Sequence, residues 1–450
     1  MRAALSTHRS VLGVAPTGAG KTVLFSFMAT EAQRRGLRVE ILTHLEELVD
    51  QVVGTLERFN ASCGVIASGR CHDYGKNIQV ASVQTLVRRL DHAPVPDLVI
   101  VDEAHHAISG SSWGKVIAAR PKARIVGVTA TPQRLSGEGL GDLFQSMVIG
   151  PSVSELMVIG ALCEYRLFAP PSVDCSSIGT RGGDFAQDQA AAAFDKPQVT
   201  GDAVCHYKKH CEGTRAVVFC ISVEHADHVC ETFRRSGYRA ERLDGGICKE
   251  DRKDIVDRFK SGETQILTNC NIVSEGFDLP AIETVIMLRP TQSLALFLQQ
   301  VGRGLRPMPG KKKAIILDHA GNVARHGLPD DPRIWTLEGA RAKKKSEGKE
   351  MSVHICKNCF AAIRSGSIMC PECGAVIQKT EREVKHVEGE LSEVDLEKMK
   401  EERKRKIAEC KTLEELCAYG KAMKYKHPYA WAGHIFTARK LRNRRHASTS

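Results

Sequence analysis

The chain is expected to be an α/β protein, with two parallel-sheet domains in tandem followed by a small cysteine-stapled ribbon and a basic, mostly helical tail. Three observations predict this. Short apolar runs ("VLGVA", "RVEILT", "NIQVAS", "DLVIVD", "ARIVGVT") alternate with amphipathic stretches from Ser10 to about Gly150. That is how strands buried on both faces by crossover helices read. The same alternation resumes later with "RAVVFCIS", "YRAERLDG", "TQILTNC", "TVIMLRP" and "KAIILDH". Paired Cys-x-x-Cys turns then lie between two highly charged stretches near the C-terminus.

Composition agrees. A length of 450 residues exceeds one ordinary domain. With 42% hydrophobic and 26% charged residues, most of the chain can bury a core, and 5% aromatics argue for aliphatic packing over an aromatic-rich β-sandwich. The formal net charge of +11 favours a polyanionic partner. Of 16 cysteines, all but the clustered ones are scattered, many in apolar runs. That is the usage of buried thiols in a reducing compartment, so a cytoplasmic location is expected and a disulfide framework is not. No stretch approaches the ~18 apolar residues of a membrane span.

Taken in order, residues 1–150 form the first domain, with "KTVLFSFMATEAQRRG" and "HLEELVDQVVGTLERF" as helices between its strands. Residues 151–200, containing "APPSVDCSSIGTRGGDF", read as an interdomain connection rich in Pro, Ser and Gly. The second domain is expected over 201–337, a charged linker over 338–353, the ribbon over 354–378 and the basic helical tail over 379–450. The two α/β halves share architecture but no sequence repeat of fixed period.

The first motif with chemistry is "APTGAGKT", Ala15 to Thr22, between a predicted strand and a predicted helix. This is a P-loop pattern in its required context, a variant in that Ala15 stands where the strict pattern has glycine. Pro16, Thr17, Gly18, Ala19 and Gly20 would turn backbone amides onto phosphate oxygens at a helix N-terminus. Lys21 would reach the β- and γ-phosphates, and the Thr22 hydroxyl would hold Mg²⁺. "LVIVDEAHH" delivers Asp102 and Glu103 at a strand's C-terminal edge, where ligands bind in such sheets. Asp102 suits the Mg²⁺ shell, and Glu103 suits positioning or deprotonating a water. "GVTATPQR" adds Thr129 and Thr131 at another strand end. Together these specify a nucleotide hydrolase using Mg²⁺.

"LALFLQQVGRGLRP" gives the second domain a purpose. If that domain packs across the first, Arg303 and Arg306 reach the γ-phosphate as fingers, an effect worth roughly 10³–10⁵ in rate. Hydrolysis is then tied to closure of the domains. "NIVSEGFDLP", Asn271 to Pro280, is a companion loop with Gly276 and Asp278 near the ribose and the arginines.

These segments, with "THLEELVDQ" and "ASVQTL", fall in one order over about the first 320 residues, and that order resembles the superfamily 2 helicases of the DEAD/DEAH-box type. The resemblance implies two RecA-like domains that clasp ATP between them and nucleic acid across their top. Carried over by position, Lys21, Thr22, Asp102, Glu103, Arg303 and Arg306 form the ATPase set. Thr43, Ser82, Thr85 and Thr268 would lie towards the nucleic-acid backbone. The stretch "MLRPTQSLALFLQQVGRGLRPMPGKKKAIILDHAGN" looks most like the RadD-like bacterial and phage-borne DNA helicases. Its double glutamine, in place of the histidine–arginine start of DEAD-box RNA helicases, leans towards DNA, single-stranded or forked. The family's adenine-reading aromatic and glutamine are not found in "MRAALSTHRSV", so either the chain begins late or adenine is read differently.

"CKNCFAAIRSGSIMCPECG" places Cys356, Cys359, Cys370 and Cys373 as two knuckles, a thiolate set suited to a structural, tetrahedral Zn²⁺. A redox site would need only one pair. In the tail, Tyr425, Tyr429 and Trp431 lie among arginines. They suit either stacking on bases or a small helical cap with the tryptophan inside. The expected function is an ATP-dependent DNA helicase or translocase in repair, recombination or replication, with a protein partner able to use the ribbon or tail. An RNA helicase is the rival within enzymes. A zinc-ribbon binding module with an idle motor is the rival outside them. No cluster of acidic and lysine residues supports a nuclease.

Overall fold

The computed structural model describes residues 1–134, 137–170, 173–195, 197–270, 282–339, 353–377, 401, 405–423 and 428–447. The first sheet contains β1 (Ser10–Val14), β2 (Val39–Thr43), β3 (Cys63–Ile66), β4 (Ile78–Ser82), β5 (Leu98–Val101), β6 (Arg124–Thr129) and β7 (Ser146–Ile149). Their order is β3-β4-β2-β5-β6-β1-β7, and every pairing is parallel. The apolar runs are buried on both faces, as a parallel sheet covered by helices requires.

The second sheet contains β8 (Glu164–Phe168), β11 (Ala216–Phe219), β12 (Ala240–Leu243), β13 (Ile266–Asn269), β14 (Thr284–Met287) and β15 (Lys313–Asp318). Between the first two of these in sequence lies a short hairpin of β9 (Thr180–Arg181) and β10 (Asp184–Phe185). The sheet order β12-β13-β11-β14-β15-β8 is again fully parallel. The 151–200 stretch is therefore more than a connection. Its β8 pairs with β15, and Phe185 and Phe194 build a small core with Ile178, Ile221 and Ala320. Glycine and proline punctuation hid these short pieces.

The ribbon is a hairpin of β16 (Val353–Ile355) and β17 (Ala362–Arg364). It packs on the second domain, where Cys356, Ala361, Ile363 and Cys370 share a core with Phe168 and Ile286. The Ala169 amide donates to the Phe360 carbonyl at 3.0 Å, and Arg364 pairs with Asp331 at 2.9 Å. Residues 379–450 form a separate compact unit. Within it, helix Leu413–Ala422 buries Leu416, and Trp431 of helix Pro428–Ala447 stacks on Tyr419 at 6.0 Å. The tryptophan thus serves helix packing; Tyr429 is exposed, and Tyr425 lies outside the described residues. No described helix is long and apolar enough to cross a membrane.

Candidate nucleotide site between the two sheets

The phosphate cradle follows directly from β1. Gly18 (φ 86°) and Gly20 (φ 76°) take left-handed backbone that L side chains resist. Gly20 caps helix Lys21–Arg34 with no side-chain oxygen, so the first amides of that 14-residue helix face the loop. Such a helix start favours an anion through its unpaired N–H groups and its dipole. Lys21 Nζ lies back over the loop, 3.4 Å from the Ala15 carbonyl and 3.5 Å from that of Pro16.

Asp102 follows β5 and is buried, its Oδ1 accepting from the Glu103 amide at 2.9 Å. Burial first, then the adjacent Glu103 charge, push its carboxyl up to about 7 against the pull of Lys21. A buried carboxyl held against its ionised form, with a lysine nearby, fits a magnesium ligand whose ion would restore the charge balance. Glu103 itself sits at φ 45°, one of few non-glycine residues in that region. Such strain concentrates at functional sites.

Two residues without an assigned role in the sequence complete the site. His105 Nδ1 is 3.0 Å from Thr129 Oγ1 and 3.4 Å from Glu103 Oε2. Its Nε2 is 3.4 Å from Gln299 Nε2, across the cleft on helix Leu294–Gly304. Thr129 Oγ1 already donates to the Thr131 carbonyl at 2.8 Å, so it accepts from His105, which fixes the proton on Nδ1 and leaves Nε2 to accept from Gln299. The His106 ring packs, tilted, between those of His105 (4.2 Å) and His44 (4.4 Å). The "HH" and "QQ" letters were visible, but nothing in the sequence pairs residues 194 positions apart.

The arginine segment meets the P-loop through glycine. A Cβ placed on Gly302 would lie 2.6 Å from the Thr17 Cβ, and one on Gly18 would lie 3.6 Å from Arg306 Cγ. A side chain at Gly302 would push Thr17 away, whereas one at Gly18 would meet Arg306 at ordinary contact distance. Arg303, one residue on, is buried. Arg252 and Glu47 add an ion pair at 3.6 Å between the same halves. Gly276 and Asp278 lie outside the described residues.

The expected nucleic-acid set divides. Ser82 ends β4 with its hydroxyl donating to Gln84 at 2.8 Å, and Thr85 is half-buried in the following turn of helix. Thr43 and Thr268 have 0% exposure. The Thr43 hydroxyl donates to Leu45, and that of Thr268 to the Ala226 carbonyl at 3.0 Å. Both hydroxyls have partners in the protein interior. A buried hydroxyl takes an internal partner, whatever motif it belongs to.

In the ribbon, the Sγ atoms of Cys356, Cys359, Cys370 and Cys373 all lie within 4.8 Å of one another. Each knuckle is closed by the same backbone bonds: Cys356 N to Ala361 O and Cys370 N to Ala375 O. Four sulfurs at that separation fit one tetrahedral ion.

Residues 2–134 match the family model described as type III restriction enzyme, res subunit, and residues 196–308 match the helicase conserved C-terminal domain. A 51.5 kDa protein of a Lactococcus phage (isolate 7-9) is 32% identical over 389 residues, covering 86% of this chain and 82% of that one. A Saccharomyces cerevisiae protein named as the ATP-dependent helicase IRC3 is 29% identical, covering 72% of this chain and 50% of its own. This chain therefore spans about half the length of that relative. Among solved structures, a fragment named as an HsdR subunit of a type I restriction enzyme from Vibrio vulnificus superposes with a TM-score of 0.58 at 24% identity, covering 74% of this chain and 65% of that one. The type ISP restriction-modification enzyme LlaBIII bound to DNA gives 0.52 at 16% identity, covering 70% and 26%. These two show a shared fold.

Proposed function

The chain belongs to the superfamily 2 helicases and hydrolyses ATP, and from that premise we propose that it is a DNA motor whose ATP site is assembled from both sheets. The observation that carries this reading is the glycine contact: Gly302 against Thr17 brings the arginine segment onto the phosphate cradle. Residues 16–22 bind the phosphates, Lys21 among them. Thr22 and Asp102 would hold Mg²⁺, which would supply neutralisation of phosphate charge. Glu103 orients the attacking water and accepts its proton. Arg303 and Arg306 stabilise charge on the γ-phosphoryl group as it transfers. His105 and Gln299 hold the domains in register, so closure and hydrolysis are linked.

Support for DNA over RNA comes from the restriction-enzyme family model over the first sheet and from Gln299–Gln300 in the arginine segment. The RadD-like pattern points to repair or recombination, with a single-stranded or forked substrate. Cys356, Cys359, Cys370 and Cys373 would hold one structural Zn²⁺. The ribbon or the basic tail offers a surface for a protein partner.

Steady-state ATP hydrolysis tests the reading, alone and with single-stranded DNA, forked DNA or RNA. DNA should stimulate wild type most, and Lys21→Ala and Arg303→Ala should abolish the stimulated rate. Equal or greater stimulation by RNA would move the assignment to an RNA helicase. No hydrolysis with any nucleic acid would leave a binding module. Elemental analysis should find one zinc per chain, lost in Cys370→Ser.

A further inference from the structure

A second cavity, of about 750 Å³, lies between the domains beside the nucleotide site. His105 and His106 line it from the first domain; Arg181, Arg289 and Gln299 line it from the second. Among the described residues, its lining includes neither the P-loop nor Arg303 or Arg306. The hairpin that brings Arg181 there is built for rigidity. Gly182 (φ 63°) and Gly183 (φ 89°) form its two-residue turn, both in the left-handed region that a tight primed turn demands. Asp184, opposite Arg181 in the register, accepts from the Gln292 amide at 2.7 Å, the Thr291 hydroxyl at 3.0 Å and Arg289 at 3.4 Å. Phe185 is buried beneath it, with the Arg325 guanidinium 5.2 Å from its ring centre. A solvated loop arginine needs none of this anchoring.

We propose that this cavity seats a backbone phosphate of the single nucleic-acid strand, with Arg181 as its principal ligand. The inference rests on the nucleic-acid motor reading above and adds a contact made by none of the segments that carry the family resemblance. An arginine held out on a rigid turn loses little side-chain and loop freedom on binding, and its planar fork suits phosphate oxygens. The carboxylate of Asp184 is already engaged by its own domain, so it opposes the phosphate less than its position implies. Asp188 also lines the cavity and is exposed, and it does oppose.

The position gives the seat a consequence. Its walls come from both domains, so it is complete only when they are closed, and a strand bound there favours the closed state. Asp184 is bonded just ahead of the helix that carries Gln299 and Arg303, and the His106 ring packs against the histidine beside Glu103. Strand binding is thereby tied to both sides of the hydrolytic site.

The test is equilibrium binding of fluorescein-labelled oligothymidylate and oligouridylate, followed by anisotropy over a KCl series, with folding of each variant checked by thermal melting. Arg181→Ala should weaken binding by about tenfold. It should also lower the slope of log K against log salt by about 0.7, the value for a single strand with one fewer phosphate neutralised by the protein. Arg181→Lys should restore most of that slope, and Asp188→Asn should tighten binding about twofold. Wild-type affinity and slope in Arg181→Ala would overturn the seat while leaving the motor reading standing. So would weaker binding with an unchanged slope, since that means the hairpin acts through its position alone. If wild type binds neither oligomer at low salt, the seat and the motor reading fall together.

Discussion

Two buried aspartates stand at the C-terminal ends of strands, one in each sheet. Asp102 follows β5 in the first, and Asp318 ends β15 in the second; their exposures are 4% and 1%. Burial pushes both carboxyls up, to about 7 and about 6. Their partners differ. Asp318 accepts from the amides of Val323 at 2.7 Å and Ala320 at 3.2 Å, so it organises the chain entering helix Asn322–His326. Asp102 accepts the amide of Glu103, then faces the Glu103 carboxylate and the Lys21 ammonium. A buried acid met by backbone amides is architecture. One set between a like charge and a lysine is a candidate for chemistry, and burial alone does not tell them apart.

The sharpest way to break this contrast is to neutralise each acid in turn. Asp102→Asn should lower kcat for ATP by about 10²–10³ while leaving the melting temperature at or above wild type. Asp318→Asn should retain hydrolysis but cost about 1–3 kcal/mol of stability, because two amides lose a charged acceptor. Steady-state kinetics and denaturant titration on both variants measure this. Similar losses of kcat in the two would erase the distinction.

Gly302→Ala asks whether the first aspartate works only with the cleft closed. Its added methyl meets Thr17, and a misplacement of about 1 Å at a reacting centre can cost about 10²-fold in kcat. Unfolding should be unchanged, which a melting curve would show. An unaltered kcat would mean that the arginine segment does not approach the P-loop during turnover.

A smaller effect is expected in stability against pH, measured without magnesium or nucleotide. The folded-state value of Asp102 is raised, so its favourable contribution is complete below about pH 4, the ordinary aspartate value, and is lost as pH rises through about 7. Asp102→Asn should flatten the profile over that window and gain on wild type at its upper end. Asp318→Asn removes a window that closes nearer 6. Parallel profiles for wild type and Asp102→Asn would show that Asp102 ionises normally in the folded chain.

The least effect is expected where acids merely fasten the ribbon. Arg364 pairs with Asp330 and Asp331, and Arg364→Ala should cost about 1 kcal/mol with kcat preserved. A large loss of activity would show the ribbon reaching the cleft.

Much of the fold and site was legible because its signals are local. The P-loop letters, the Asp102–Glu103 pair and the cysteine knuckles each lie within one turn, so spacing alone brings those residues together. Strand β8 was not legible, because nothing in "EYRLF" says that it pairs with β15, nearly 150 positions on. The internal partners of the Thr43 and Thr268 hydroxyls were not legible for a related reason: a strand-end position predicts an edge, but the direction of a side chain depends on what packs over it.

By itself the sequence determined two parallel-sheet domains, a glycine-rich loop ahead of a helix, an acid pair at a strand end and a four-sulfur ribbon, since hydrophobic period, turn chemistry and residue spacing are properties of neighbouring residues. Only the tertiary structure decided that Gly302 touches Thr17, that Gln299 meets His105, and that a glycine turn holds Arg181 at a cavity between the domains. Those contacts join segments more than a hundred residues apart or lie on opposite sides of a cleft. They form when each sheet buries its own faces and the two bodies then meet, and no local pattern encodes where two folded surfaces will touch.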